Sequence, residues 1–490
     1  MATDSLPGGN NFPNYYQMLS EDDINNIHSS TLEILETTGV VVTHRGVIDL
    51  LVDAGCVVNL NTRNVNIPEK LVEQCLKTTP SAFIMAGRNQ KDDLQIGAPG
   101  KIYNRNGGGP GHVQDLDTGL VRDASLSDVR DYAKLVDAVE NLDIAAPIYG
   151  QDIDPNVRDL TVLATMFAST FKHINMRLLQ LSSLPYVLKM AEIVAGSREN
   201  LRSRPVITLL ESPVAPLQLP DVLVETLLAC GAYGIPVELC SMPISGATGP
   251  LTLAGSLLMS NVEMVASIVV SQLANPGAPL VFTPRIMIMD MRSGHAMTGS
   301  IENALLASAG VQLAKNKYNI PVNVHGPYTD SITSDTQAGI ENTYFTLLPA
   351  LSGANILTGA GHLEGGLFVS FPQLIIDSEI NGIAQRLLEG FEVNANTLAV
   401  EAIQRSIRKN NVLADPHTRS NLRKVNRYQP ILLNRIPRQT WVDQGSPTMQ
   451  DRAHAKVREL LASHEPDPLD PAIEKELQNL LQHAKKELTS

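Results

Sequence analysis

Cysteine is scarce in this sequence. Its 490 residues include four cysteines, Cys56, Cys75, Cys230 and Cys240, and no two of them form a Cys-x-x-Cys pair. Four cysteines are too few for a disulfide framework in a chain of this size, and a structural zinc site normally uses closely spaced pairs. The sequence therefore argues against both a disulfide-built fold and a structural zinc site.

Positive charge and long apolar runs are also in short supply. The sequence has 38 Lys and Arg against 51 Asp and Glu, a net charge of −13, and such a surface repels nucleic acid and anionic lipid. We find no run of eighteen or more apolar residues that predicts a membrane span. The start, MATDSLPGGNNFPNYY, lacks the basic and apolar segments of a signal peptide. We therefore expect a cytoplasmic protein.

Aromatic residues make up 4% of the chain, and Trp441 is the single tryptophan, so an aromatic pocket must be built mostly from Tyr and Phe. The bulk composition is otherwise ordinary for a globular protein, with 43% apolar and 18% charged residues. A chain of this length is too long for one small core, but a single large barrel with additions accommodates it.

The pattern of the sequence divides the chain into three parts. Residues 1–100 begin with a Gly-, Asn- and Pro-rich arm and continue with short mixed elements, from the helix EDDINNIHSSTLEILETTGV to the strand AFIMAG, which predicts an α+β extension. Residues 101–390 form the central part. Residues 391–490 contain amphipathic stretches that predict a helical tail packed on its outside.

Eight short apolar runs recur in the central part, most of them followed by a loop and a segment of helical pattern. They are KIYN (101–104), DIAAPIYG (143–150), HINMRLL (173–179), PVITLLE (205–211), IPVELCS (235–241), PLVFTP (279–284), IPVNVHG (320–326) and ANILTG (354–359). Apolar strands alternating with helices predict a parallel sheet covered on both faces. Eight such units predict an α/β fold, a (β/α)8 TIM barrel with an N-terminal α+β extension and a C-terminal helical tail.

Residues that close these strands are the candidates for a site, because such barrels keep their active sites at the carboxyl ends of the strands. They are Tyr103, Asn104, Tyr149, Gln151, Arg177, Glu211, Cys240, Ser241, Arg285, His325, Tyr328, His362, Glu364 and Phe368. Two of the following loops are rich in glycine, GAGHLEGGLF (359–368) and NRNGGGPGHVQD (104–115). Glycine permits close approach of backbone to a ligand. The second loop lacks the GxxxxGK[ST] pattern of a phosphate cradle, so we interpret it as a lip on the mouth of the barrel.

Several of these residues also have structural interpretations. Glu211 can be a buried carboxylate paired with Arg177 or Arg285, and His325 a core histidine bonded to backbone. His362 is the stronger candidate for a functional role, because a Gly-rich loop gives it little to stabilise. A zinc ion held by His325, His362 and Cys240 is geometrically conceivable across three strands, but no local spacing supports it and we predict no metal.

Long segments of the sequence resemble the trimethylamine methyltransferase superfamily. They are PISGATGPLTLAGSLLMSNVEMVAS (243–267), residues 330–390 from DSITSDTQAGIENTYF through GAGHLEGGLF to RLLEG, the tail from Trp441 through DRAHAKVRELLASHEPDPLD, and TLEILETTGV near the start. The resemblance covers nearly the whole chain. Because no position is pyrrolysine, it points to the non-pyrrolysine branch, which resembles glycine betaine methyltransferases.

This resemblance implies a TIM barrel that demethylates a quaternary amine of betaine type and passes the methyl group to a separate corrinoid protein. It also implies substrate contacts by His362, Tyr103 and Phe368, to which we add His325, Tyr328, Glu211 and Tyr149 from the strand ends. We assign no catalytic residue. The family's expected Arg before the TD of the seventh loop is absent here, since that loop is HGPYTD. How a substrate carboxylate is held is therefore an open question at this point.

The expected partners are a corrinoid protein, a small quaternary amine and further copies of this chain in a homo-oligomer, with no nucleic acid or membrane. The chain itself is expected to bind no cofactor, since DPHTRS (415–420) departs from the corrinoid motif DxHxxG. Two alternatives stay open. One is a barrel hydrolase or lyase that uses Glu211 and His325 as an acid–base pair, and the other is a protein that binds betaines without catalysis.

Overall fold

The eight predicted strand segments pair side by side as parallel strands in a computed structural model that describes residues 16–409, 411–422 and 428–488. Residues 1–15 of the predicted arm lie outside these ranges. Numbered 1 to 8, the barrel strands are Tyr103–Asn106, Ile144–Ala145, His173–Met176, Ile207–Glu211, Val237–Ser241, Leu280–Pro284, Asn323–His325 and Ile356–Ala360. A parallel bridge between Phe282 and Val322 joins strands 6 and 7. The predicted TIM-barrel fold is confirmed.

Helices follow the strands and cover the outside of the barrel. They are α4 Leu126–Ala138, α5 Arg158–Ser169, α6 Leu184–Ala195, α7 Arg198–Ser203, α8 Asp221–Tyr233, α9 Leu253–Ala274, α10 Ile301–Gln312, α11 Thr336–Leu351 and α12 Phe371–Glu389. Helix α10 continues as a π-helical segment, Leu313–Tyr318. Helix α9 is long and apolar enough to cross a membrane, but 72% of its most apolar stretch is buried inside the protein. We therefore interpret α9 as a core helix, which packs against α8 and α10.

The N-terminal extension packs on helix α9 and pairs with the loop after strand 4, and its last hairpin closes the amino-terminal end of the barrel. Its helices are α1 Glu21–Thr37, α2 Arg45–Asp53 and α3 Glu69–Thr78, and its strands are Val40–Val42, Val57–Asn59, Asn64–Asn66, Phe83–Met85 and Leu94–Ile96. The last two form an antiparallel hairpin. Met85, Leu94 and Ile96 of this hairpin pack with Ile144, Val281 and Ile356 from barrel strands 2, 6 and 8. We call this apolar cluster the floor of the barrel.

The C-terminal segment is helical, and its last two helices pack on the barrel. Its helices are α13 Ala395–Leu398, α14 Val400–Lys409, α15 Pro416–Asn421, α16 Arg438–Asp443, α17 Met449–Ser463 and α18 Pro471–Leu488. Helix α17 packs against α12 and α4, and α18 against α5 and α6. The buried carboxylate of Glu379 in α12 accepts hydrogen bonds from the backbone amides of Ile431 (2.7 Å) and Leu432 (2.6 Å), which ties the tail to the barrel.

Polar side chains fill the middle of the barrel above the floor. Arg105 of strand 1 donates to Asn175 of strand 3 and lies 3.4 Å from the Oε2 atom of Glu238 on strand 5. The other carboxylate oxygen of Glu238 accepts a 2.7 Å hydrogen bond from Asn323, whose own Oδ1 accepts one of 2.9 Å from Thr358. Arg105 and Glu238 are both buried, so the charge of each offsets the free-energy cost of burying the other. This polar layer joins five strands across the barrel.

We predict that Glu238→Gln strongly destabilises the protein. The substitution leaves the buried charge of Arg105 without its counter-charge, a change that typically costs about 3–5 kcal/mol. The measurement is chemical unfolding followed by circular dichroism. The control is Glu192→Gln, which breaks a partly exposed ion pair with Lys189 and is expected to cost less than about 1 kcal/mol. Equal midpoints for the two variants would contradict the importance of the buried pair.

Candidate active site at the barrel mouth

The two Gly-rich loops lie together over the carboxyl ends of the barrel strands, which we call the mouth. The loop after strand 8 contributes strands His362–Leu363 and Phe368–Val369, and the loop after strand 1 contributes His112–Gln114 and Val121–Asp123. These four strands form one small sheet. A second sheet of Ile244–Ser245, Met287–Met289 and Ala296–Met297 joins the loops after strands 5 and 6. The loop after strand 1, NRNGGGPGHVQD, therefore lies over the mouth, where the sequence analysis expected a lip.

Three predicted residues, His325, Tyr328 and His362, meet at the mouth, and we call them the mouth cluster. The rings of His325 and Tyr328 stack with centroids 3.9 Å apart and planes 4° apart, and Tyr328 meets His362 edge-on at 5.3 Å. The hydroxyl of Tyr328 donates a 2.8 Å hydrogen bond to the backbone oxygen of Gly365. Their exposed fractions are 9%, 8% and 6% respectively, so the cluster is nearly water-free but still reaches the surface.

Glycine is required on both sides of His362. A Cβ atom at Gly107 would lie 2.4 Å from the Cδ2 atom of His362, and one at Gly366 would lie 2.3 Å from the Tyr328 hydroxyl. Gly366 also has a φ of +84°, which side chains disfavour. The glycines of the two loops therefore make room for the imidazole and phenol rings.

A buried carboxylate holds the His362 loop in place. Asp377 of α12 accepts hydrogen bonds of 2.7 Å from the Gly361 backbone amide, from Asn342 and from Gln373. Burial raises the pKa of Asp377 to about 7, against the effect of these three donors. The carboxylate fixes the backbone one residue before His362, so it positions the ring without touching the mouth.

The two histidines of the mouth cluster are neutral at ordinary pH. Burial, with the nearby charges of Arg105 and Arg285, lowers the pKa of His362 to about 3, although a backbone contact with Gly108 acts in the opposite direction. Burial and then Arg285 lower the pKa of His325 well below its ordinary value. Within the described ranges, no well-formed hydrogen bond satisfies either ring nitrogen of His362. The cluster is therefore a set of uncharged rings with free polar atoms.

Two other predicted residues, Tyr149 and Glu211, lie apart from the mouth cluster. Strand pairing aligns Glu211 with Leu239, whose neighbours Glu238 and Cys240 face the interior, so Glu211 faces the surrounding helices instead. Burial raises the pKa of Glu211 to about 7, and its charged neighbours are Arg177 and Asp159, outside the barrel interior. Tyr149 donates to the Arg177 backbone. The structure does not bring Tyr149 and Glu211 together with the mouth cluster, and their assignment to the substrate site stays a prediction that this placement does not support.

Tyr103 and Phe368 also lie elsewhere. Tyr103 begins strand 1 at the amino-terminal end, packs against the floor and accepts a 3.0 Å hydrogen bond from the Gln95 backbone amide. Strand 1 runs two residues further than the sequence indicated, so its carboxyl end is Asn106. Phe368 pairs with Leu363 across the small sheet while His362 pairs with Val369, so Phe368 faces away from His362 and packs on Ala338. Neither aromatic ring contributes to the mouth cluster.

Two charged residues of the barrel were not among the predicted substrate contacts. Arg105 was missed because the strand was placed at KIYN, one residue short of it. Arg285 was among the residues that close the strands, but the only role considered for it was as a partner of Glu211. The Nε and Nη2 atoms of Arg285 are buried and have no hydrogen-bond partner in the described part of the chain. A signal was present in TPRI, since an Arg that directly follows an apolar barrel strand is placed at the mouth.

Two cavities elsewhere lack this combination of features. One of about 380 Å³ lies among α4, α5 and α18, and one of about 500 Å³ lies at the amino-terminal end of the barrel near Pro80 and Gly234. We place the candidate site at the mouth, because the unsatisfied polar atoms of His362 and Arg285 converge there. Across the described ranges, no three His, Cys, Asp or Glu side chains are arranged to hold a metal ion.

We predict that His325 and His362 do not titrate between pH 5 and pH 8. Selective isotope labelling of histidine and NMR measure this, and His325→Gln and His362→Gln identify the two signals. Both signals should stay at neutral positions in the folded protein, because protonation would place a third buried positive charge beside Arg105 and Arg285. In the unfolded protein they should titrate near about 6.5. A midpoint inside this pH range in the folded protein would refute the neutral cluster.

Comparison with known proteins identifies relatives over the whole chain. A model of the trimethylamine methyltransferase (MTTB) family matches residues 3–489. Trimethylamine methyltransferase MttB of Desulfitobacterium hafniense (strain DSM 10664 / DCB-2) is 33% identical over 96% of this chain and 94% of its own. Glycine betaine methyltransferase of Desulfitobacterium hafniense (strain Y51) is 31% identical over 96% of this chain and 98% of its own.

A solved structure supports the fold. The monomethylamine methyltransferase MtmB of Methanosarcina barkeri superposes with a TM-score of 0.54, covering 98% of this chain and 89% of that chain at 11% identity. At this identity the likeness concerns the fold alone. Taken together, the family model and the relatives show that the chain belongs to the trimethylamine methyltransferase family, and a sequence without pyrrolysine is consistent with its non-pyrrolysine branch.

Proposed function

We propose that this protein removes a methyl group from a quaternary amine of betaine type and passes it to Co(I) of a separate corrinoid protein. The observation that carries the proposal is the mouth cluster, three uncharged rings that pack together at the carboxyl ends of the strands, in which neither histidine can act as a base near neutral pH. Membership in a methyltransferase family and the likeness to a glycine betaine methyltransferase support the same reaction.

The chemistry of a quaternary ammonium group suits such a site. Its nitrogen has no proton to lose, and when the C–N bond breaks the bonding pair stays on the departing tertiary amine. The methyl acceptor, Co(I), supplies the electron pair for the new bond. The protein then needs orientation and a dry environment rather than proton transfer. The faces of Tyr328 and the neutral imidazoles can contact N-methyl groups by cation–π attraction, which typically contributes about 0.5–2 kcal/mol.

The acid–base alternative is not favoured by the geometry. It requires Glu211 and His325 to act on one substrate, yet His325 faces the barrel interior at the mouth and Glu211 faces the helices. His325 is also held neutral with a strongly lowered pKa, which makes it a poor base near neutral pH. Methyl transfer requires neither residue to exchange a proton.

Exposed apolar side chains surround the mouth, which supports docking of a macromolecular methyl acceptor. Six consecutive loops, those after strands 3 to 8, each present at least one. They are Leu179, Val214, Leu251, Met291, Ile332 and Leu367, exposed between 48% and 64%. Such a concentration of exposed apolar groups is typical of interaction surfaces. We call these six residues the rim.

The corrinoid is proposed to arrive on the partner, since the DPHTRS segment of this chain offers no matching site. His417 in that segment lies on α15 in the tail and contacts the backbone oxygen of Asn396 at 3.1 Å.

Exposed apolar side chains in the tail support the proposed homo-oligomer. Phe391, Ile407 and Leu413 are exposed by 85%, 82% and 84% in the segment after α12, away from the rim. The cytoplasmic location stays a prediction.

We predict that Tyr328→Ala lowers kcat/KM for methyl transfer by at least about tenfold, because it removes the ring that stacks on His325 and contacts His362. The assay is anaerobic loss of Co(I) absorbance with a panel of quaternary amines and reduced corrinoid protein. Tyr186→Phe serves as control, because Tyr186 is a half-buried residue of the outer helix α6 whose hydroxyl donates to Glu487 in the tail. Binding of an amine with no demethylated product would favour the non-catalytic alternative, and product without Co(I) would favour a lyase.

The rim gives an independent prediction. Replacing Leu251 and Met291 by Glu should slow transfer to the corrinoid protein by about tenfold or more, because charge disrupts an apolar interface. Transfer to free reduced cobalamin, which needs no protein docking, should change little. Leu60→Glu is the matched control, since Leu60 is 75% exposed in the N-terminal extension. Equal slowing with both acceptors would place the effect in the site and not at the rim.

A further inference from the structure

Arg285 is a cation without a counter-ion at the mouth of the barrel. It directly follows strand 6, and its backbone amide donates a 2.9 Å hydrogen bond to Ser241 at the end of strand 5. The buried Nε and Nη2 atoms have no hydrogen-bond partner within the described ranges, and no described carboxylate forms an ion pair with the side chain. Arg105 differs, because Glu238 compensates its charge.

The surroundings of Arg285 are the mouth cluster. Its charge lowers the pKa of His325 and His362 and opposes the rise that burial causes in the pKa of Tyr328 and Cys240. Since both histidines are neutral, the charged groups around the cluster are Arg105 and Arg285 against Glu238 and Asp330. Glu238 pairs with Arg105, and Asp330 accepts hydrogen bonds from Thr298 and Gly299, so neither carboxylate pairs with Arg285. A substrate that carried only a positive charge would be repelled by this unpaired guanidinium.

The two free nitrogens of Arg285 have a specific geometry. In a guanidinium group, Nε and Nη2 lie on one edge and point their N–H bonds in parallel, which matches the two oxygens of a carboxylate. A buried donor pair of this kind is costly when empty and is satisfied by an anion that enters the site. The absence of an Arg in the HGPYTD loop therefore does not leave the mouth without a carboxylate-binding group.

We propose that Arg285 binds the carboxylate of the substrate through its Nε and Nη2 edge, so the substrate is a zwitterion with both a quaternary ammonium and a carboxylate group. This inference rests on the proposed function for the ammonium end of the molecule. It makes Arg285 a specificity-determining residue: the carboxylate pairs with the guanidinium, and the N-methyl groups then lie against the rings of the mouth cluster. Simple cationic amines lack the group that offsets the charge.

Binding measurements without any corrinoid test this proposal. Isothermal titration calorimetry compares glycine betaine and longer trimethylammonium carboxylates with choline, which has the ammonium but no carboxylate. The wild-type protein should bind at least one carboxylate ligand at least tenfold more tightly than choline. Arg285→Gln should weaken that ligand about a hundredfold and leave choline unchanged or tighter. Arg285→Lys, which keeps the charge but not the paired N–H edge, should weaken it to an intermediate degree.

Controls separate this inference from loss of fold and from failure of the proposed function. Arg285→Gln should unfold at the same temperature as wild type or higher, since it removes a partly buried charge that has no ion-pair partner. Arg198→Gln, at an exposed arginine on α7, should bind like wild type. Unchanged carboxylate affinity in Arg285→Gln, or a wild-type preference for choline, would overturn the role of Arg285. Arg285-dependent binding of a carboxylate ligand that is never demethylated would instead overturn only the methyl transfer.

Discussion

The ion pair between Arg105 and Glu238 inside the barrel is the constraint on which the rest of the site depends. It spans strands 1 and 5, and through Asn175, Asn323 and Thr358 it reaches three more strands. In a barrel whose interior was apolar up to the mouth, these buried polar side chains would have no hydrogen-bond partners. The pair also occupies the carboxylate of Glu238, so Arg285, above it, has no described carboxylate as an ion-pair partner.

This arrangement explains why the mouth cluster is suited to a cation despite the arginines nearby. Burial, together with the nearby charges of Arg105 and Arg285, lowers the pKa of His325 and His362, so their rings present neutral faces. The ring nitrogens of His362 have no hydrogen-bond partner among the described residues. Protonated imidazoles would repel an ammonium group, whereas neutral ones can lie against its methyl groups. The glycines of the two loops complete the site, since side chains there would displace the rings.

The fold was largely predictable from the sequence, and the site was predictable in part. Buried parallel strands are continuous apolar runs, and all eight were recognisable for that reason. His325, Tyr328 and His362 follow directly from the strand ends. The sequence pattern marks Glu211 as the last residue of a strand but does not show to which face its side chain points. Its outward direction became visible only from the strand register. Arg105 was missed because a charged residue in a barrel interior makes sense only once its partner, 133 positions away in the chain, is seen beside it.

The floor of the barrel has a kinetic consequence. The hairpin of Phe83–Met85 and Leu94–Ile96 packs its apolar side chains into the far end of the barrel. In the proposed function, the amine and the acceptor protein would therefore share one entrance. A docked acceptor would cover the mouth, through which the amine enters and the demethylated product leaves. The amine must then enter before the acceptor arrives, and the demethylated product must wait until the acceptor departs. Turnover of this enzyme should accordingly follow a compulsory order through a ternary complex.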